Sequence, residues 1–122
     1  MTNFKQSDPA VLVAEFRRKV HQSEGTTGRR LDRARTEDER WAIHAEHVRE
    51  RVALTVGLLN ELPMEIAEDQ LEGLRKARDH HERDFKETGK SYDQASVELF
   101  TRLIAAGEAA LRERRASAPV SS

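Results

Sequence analysis

The stretch Ala77 to Ser91, "ARDHHERDFKETGKS", holds the residues whose types most resemble chemistry. Asp79, His80, His81, Glu82 and Asp84 are all metal-ligand types, and Thr88-Gly89-Lys90-Ser91 resembles the end of a phosphate-binding loop. A helix turns about 100° per residue, so His80 and His81 point in different directions and cannot chelate one ion. His80 and Asp84 are four apart and could, but they fall on an exposed face. A second pair, His44 and His47, is three apart, a workable ligand spacing. A helical metal site would join His44 or His47 to His81. Di-iron bundles place Glu three residues before a ligating His. Here Arg18, Trp41, His44, Ala77 and Arg78 hold those positions. No cofactor or metal is therefore assigned. A phosphate loop needs a glycine five residues before Gly89, where Asp84 stands, and a preceding strand, where a helix is expected. Gly89 reads instead as a helix stop and Ser91 as the next helix cap.

Catalysis by a nucleophile finds little support. The chain has no cysteine. Every serine except Ser96 falls at an expected cap, loop or tail, and no Gly-x-Ser-x-Gly turn occurs. No catalytic residue is assigned, and the chain is read as a non-enzyme. A basic segment, "GRRLDRAR", carries Arg29, Arg30, Arg33 and Arg35 against one acid, Asp32. It could grip phosphates or an acidic protein surface. No aromatic residue is interleaved to stack on bases. The whole chain has 21 basic and 22 acidic residues, a net charge of −1, so no global field draws it to nucleic acid.

The elements that must position these residues are helices. At 122 residues the chain is one domain's length. Its 37% hydrophobic and 35% charged content suits helices that each bury one stripe. The N-terminus is not read as a secretory signal and no run spans a membrane, so the expected location is the cytoplasm.

Asp8-Pro9 opens a first helix, with Leu12, Val13, Phe16 and Val20 in register. Gly25 and Gly28 are expected to stop it early. Thr36 to Glu39 reads as a capping box for a second helix running to about Leu62. One strip of that helix is Trp41, Ala45, Val48, Val52, Val56 and Leu59; a second, well round from it, is Ile43, Leu54 and Leu58. Pro63 separates it from a third helix with Met64, Ala67, Leu71, Leu74 and Phe85 in its stripe. The fourth helix also has two strips. Tyr92, Ala95, Leu99, Leu103, Ala106 and Ala110 form one; Val97, Phe100, Ile104 and Leu111 form the other. No strand pattern appears.

The expected fold is all-α: a small antiparallel bundle of about four helices, the first shorter. Residues 1–116 form one domain and 117–122 a flexible tail. The first strips, Trp41 included, are expected inside. The second strips then face a protein partner or a second copy of the chain, at Ile43, Leu54, Leu58, Val97, Phe100 and Ile104, with Arg29, Arg30, Arg33 and Arg35 steering approach. The expected function is protein–protein interaction, as an adaptor, inhibitor, regulatory or structural subunit that forms a homodimer. Competing readings are a nucleic-acid-associated regulator using Arg29 to Arg35, and a helical metal protein using His44, His47 and His81.

Overall fold

The computed structural model describes residues 8–117 as four helices: α1 (Pro9–Arg33), α2 (Glu37–Glu61), α3 (Met64–Thr88) and α4 (Ser91–Ser117). No strand occurs among the described residues. Beyond Ser117, which closes α4, the expected tail lies outside them.

Each helix end has a local cause. Asp8 accepts from the Ala10 amide at 2.9 Å, and Pro9 fills the first position. Thr36 accepts from the Glu39 amide at 3.0 Å while Glu39 accepts from the Thr36 amide at 3.1 Å, a complete capping box. Pro63 sits between α2 and α3 with extended backbone, as proline and the residue before it prefer. Gly89 ends α3 at φ 67°, the left-handed conformation that glycine adopts without strain. The first amides of α4, from Asp93 and Gln94, return to the Lys90 carbonyl, so Lys90 rather than Ser91 holds the cap position.

The first helix is not short. It runs 25 residues, the same as α2 and α3, straight through Gly25 and Gly28. Each glycine costs about 1 kcal/mol against alanine in a helix. Contacts with α2 from both sides of the glycines offset that cost. Ser23, Glu24, Thr27 and Arg30 all reach α2 side chains.

Successive helices run antiparallel. α1 leans chiefly on α2, α3 packs along α4, and α2 with α4 joins the two hairpins. The core cluster lies toward the Pro63 end: Leu58, Leu59 and Leu62 of α2, Ala67 and Leu71 of α3, and Ile104 and Leu111 of α4. Leu12, Val13 and Phe16 of α1 close over it. Fully burying one such leucine is worth about 1.5–3 kcal/mol. Gly107 faces this cluster and lets α4 approach the leucine methyls of α2 and α3.

The buried arc of α2 follows neither strip along its length: it takes Leu59 from the first and Ile43 and Leu58 from the second. Its centre is Arg51, Thr55, Leu58 and Leu62, at spacings of four, three and four, lying between the strips. A helix that touches neighbours on two sides buries the arc between them. Three corrections follow. Trp41, expected in the core, is 70% exposed, and Ala45 is exposed with it. Ile43, Leu58 and Ile104, expected to face a partner, are buried within the chain. Leu54, Val97 and Phe100, also expected outward, are half-buried.

Candidate functional site

Two polar clusters and one apolar face are the places where this fold departs from plain packing. The first cluster lies between α1 and α2. Ser23 is 7% exposed, donates its proton to Glu50, and stands 3.3 Å from His47 Nδ1. The Thr27 hydroxyl lies 3.1 Å from the same nitrogen, so two hydroxyls of α1 stand against the His47 ring. Burial, then the nearby Arg51 charge, pushes the His47 imidazole below its usual value, against Glu24 and Glu50. The residue types match a serine–histidine–acid triad, but the order does not. A triad needs the histidine between the nucleophile and the acid, and here the serine stands between them. Ser23 is also sealed in mid-helix, out of a substrate's reach.

Arg51 extends this cluster toward the core. It is 8% exposed and has one acidic partner, Glu24, at 3.4 Å. Its Nε has no partner, and neither has the Oγ1 of Thr55 one turn on. Burial lowers the Arg51 pKa from its usual value, and Glu24 opposes that shift.

The second cluster lies between α3 and α4. Buried Asp93 faces His81 Nδ1 at 3.3 Å. The His81 ring stacks on Phe100 at 5.6 Å between centroids and meets Tyr92 edge-on. His81 is thus held by α4, while His47 is held by α1. The metal site imagined from His44, His47 and His81 is not assembled. No group of three or more histidine, cysteine, aspartate or glutamate side chains suited to an ion occurs among the described residues. His80 Nε2 stands 3.2 Å from Asp84 on the outer side of α3.

The basic segment covers the end of α1 and the turn after it. Arg29, Arg30, Arg33 and Arg35 are all exposed. Arg30 is paired with Glu46 of α2, and that contact holds the Glu46 carboxyl below the usual range. Arg29 reaches only Thr26, and neither Arg33 nor Arg35 forms an ion pair among the described residues. At the end of α4, Arg114 donates to the Leu59 carbonyl and Arg115 pairs with Glu68. Across α3 and α4, Arg75 bridges Glu72 at 3.2 Å and Glu108 at 2.9 Å. Those charges are spent within the fold.

The apolar face is the part of the first strips that the fold leaves open, since Leu59 and Leu103 of the same strips are buried as expected. Along α2, Trp41 and Ala45 are exposed, and Val48, Val52 and Val56 half-buried. Along α4, Tyr92 is 71% exposed, Ala95 is exposed, and Leu99, Ala106 and Ala110 are half-buried. Toward their C-terminal ends the two helices enclose an open groove of about 530 Å³, lined by Val56, Asn60, Ala106, Ala110, Glu113 and Arg114. The signal that could have found this face was the polar pair in the seam. Arg51 and Thr55, placed inward, turn Trp41 and Ala45 outward. No described helix is long and apolar enough to cross a membrane. Comparison with protein-family models, with curated proteins and with solved structures finds no match.

Proposed function

We propose that this chain is a non-enzymatic helical protein that acts by binding another protein through the open face of α2 and α4, as an adaptor, inhibitor or structural subunit. The observation that carries this is Trp41: the only tryptophan, 70% exposed, at the head of a row of alanines and valines. Isolated exposed apolar residues need no explanation, but a continuous row headed by an aromatic ring is the composition of a docking surface. The histidines, serines and carboxylates that could have served catalysis are engaged with one another or exposed, and none lines the groove except Glu113 and Ser117.

A photo-crosslinking amino acid at Ala45 tests the proposal, with one at the exposed Glu65 of α3 as control. Protein adducts from position 45, and none from 65, support the reading. No adduct from 45 above the control overturns it. A second reading rests on Arg29, Arg33 and Arg35, which are exposed and free of acidic partners among the described residues. It holds that the end of α1 contacts nucleic acid. Binding to duplex or single strands that falls steeply with salt, and is lost in Arg33→Ala with Arg35→Ala, supports that reading.

A further inference from the structure

The open face carries a projecting ring at one end and a groove at the other. Trp41 and Asn60 are nineteen residues apart on α2, which is about 28 Å of helix. At about 100° per residue, Trp41 and Val56 point within about 60° of each other. Between them lie Ala45, Val48 and Val52. We infer that the partner of this face is a second copy of the chain, set antiparallel about a two-fold axis so that each Trp41 enters the other copy's groove. This pairing presupposes the docking role proposed above and names the occupant.

Three features favour a second copy. A two-fold interface must be self-complementary, and a face that holds both a knob and a hole is. Each Trp41 that docks brings the other groove onto the other Trp41. The groove's chemistry also suits an indole. Val56, Ala106 and Ala110 give a floor of small apolar groups. An indole N–H needs an acceptor when buried, and Asn60 and Glu113 supply one at the rim. Arg114, fixed by its bond to the Leu59 carbonyl, offers a cation to the ring.

The positions of ring and groove set the direction, because only antiparallel copies bring each Trp41 end onto the other's groove end. Charge is mixed at both ends: Glu37, Asp38 and Glu39 lie beside Arg35 and Arg40 at the Trp41 end, and Glu113 lies beside Arg114 and Arg115 at the groove end, so neither end repels the other. Area agrees as well. A strip about 28 Å long and two helix diameters wide, each about 10 Å, covers about 560 Å² per copy. The two copies together bury about 1,100 Å², at the lower bound for a specific interface.

The experiment reads the single tryptophan. Wild type is followed by sedimentation equilibrium and by fluorescence emission from about 1 μM to about 500 μM. The expected result is a rise to twice the monomer mass with a blue shift of the emission over the same range. Trp41→Ala keeps the groove and loses the ring; Ala106→Glu keeps the ring and blocks the groove. Each alone should weaken the dimer at least about 30-fold, the effect of losing a tryptophan hot spot. Mixed, they should form a one-to-one dimer through one intact ring and one intact groove. The blue shift of the Ala106→Glu chain should then appear only when Trp41→Ala is added. If Ala106→Glu loses its helical spectrum, Ala109→Glu at the exposed rim replaces it. Three results overturn the pairing: wild type monomeric throughout, a dimer indifferent to both substitutions, or no blue shift on mixing. If wild type is monomeric but position 45 crosslinks to a different protein, the second copy is overturned and the docking face stands. If position 45 captures nothing, the docking face itself falls.

Discussion

Gly107→Ala is a direct test of the close approach at the centre of this bundle. A Cβ at Gly107 would lie 2.9 Å from Leu59 Cδ1 and 3.0 Å from Leu71 Cδ1. The first distance is shorter than real Cβ atoms show and the second is tighter than nearly all of them, so the Leu59 methyl must move and the Leu71 methyl must give. The two methyls are the ends of flexible side chains, but Leu59 is fully buried and Leu71 nearly so. Two effects compete. Alanine is favoured over glycine in a helix by about 1 kcal/mol. Forcing an extra methyl into a packed core costs about 1–3 kcal/mol. The expected net effect lies between about zero and about 2 kcal/mol destabilising.

Gly57 and Gly73 are the controls. A Cβ at either meets nothing within 4 Å. Alanine there should stabilise by about 0.5–1 kcal/mol, since only the propensity acts. Urea unfolding followed by circular dichroism measures all three. In a domain of this size, 1 kcal/mol also moves Tm by about 4 °C. The reasoning predicts a gap of about 1–3 kcal/mol between Gly107→Ala and the controls, its size set by overpacking alone. If Gly107→Ala stabilises as much as Gly73→Ala, the leucine methyls give way freely, and the tight packing of α4 on α2 and α3 is refuted.

Three further outcomes are expected. Trp41→Ala, measured at a concentration low enough to hold any dimer apart, should change stability by no more than about 0.5 kcal/mol, as for a surface residue; a loss of about 3 kcal/mol or more in thermal unfolding would put the ring back in the core. Thr36→Ala should cost about 1 kcal/mol by removing a side-chain cap, and an unchanged urea midpoint would argue against the capping box. His47 is held below its usual imidazole value, so the unfolded chain takes up a proton first as pH falls. The stability from neutral His47 is complete above about pH 6.5 and is lost as pH drops through the lower folded value. Wild type should therefore lose more stability than His47→Gln between about pH 7.5 and about pH 5.5; equal losses would mean that Glu24, Glu50 and Arg51 leave the imidazole unperturbed.

Much of the fold was legible because the helix ends carry strong local signals. Asp8-Pro9, Thr36 with Glu39, Pro63 and Gly89 each act within a few residues, so no knowledge of the rest of the chain was needed. The stripe of α3 was legible too, because its buried positions, Ala67 and Leu71, are apolar and its neighbour α4 packs along its length. The end of α1 was not. Gly25 and Gly28 are local stop signals, and they were overridden by contacts that Ser23 and Thr27 make with residues 20 to 27 positions away. No local pattern reports such a contact.

The candidate face was misread for a related reason. Counting apolar residues assumes that the buried arc is the most apolar one. In α2 the buried residues are Ile43, Arg51, Thr55, Leu58 and Leu59, with Leu62 at its end, and in α4 they are Asp93, Leu103, Ile104, Gly107 and Leu111. Arg51, Thr55, Asp93 and Gly107 among them are polar or lack a side chain, so the arcs left no apolar signature along their whole length. The first strips looked like core throughout because they hold the tryptophan and the three valines of α2, and at Leu59 and Leu103 they are core. The arrangement works against the isolated chain on both sides of the seam. Inside, Arg51 Nε and Thr55 Oγ1 are buried with no partner, and each such group costs about 1–3 kcal/mol. Outside, Trp41 and Tyr92 leave apolar rings in water. Rotating α2 to bury Trp41 would bring Arg51 and Thr55 to solvent and relieve both costs. It would also carry Leu58 and Leu62 off the core cluster and break the bonds of His47 and Glu50 to α1. α2 holds α1 through His47, Glu50 and Arg51 and holds α3 and α4 through Leu58, Leu59 and Leu62, so one rotation cannot satisfy both halves at once. A copy of the chain laid across Trp41 relieves the outer cost without turning the helix.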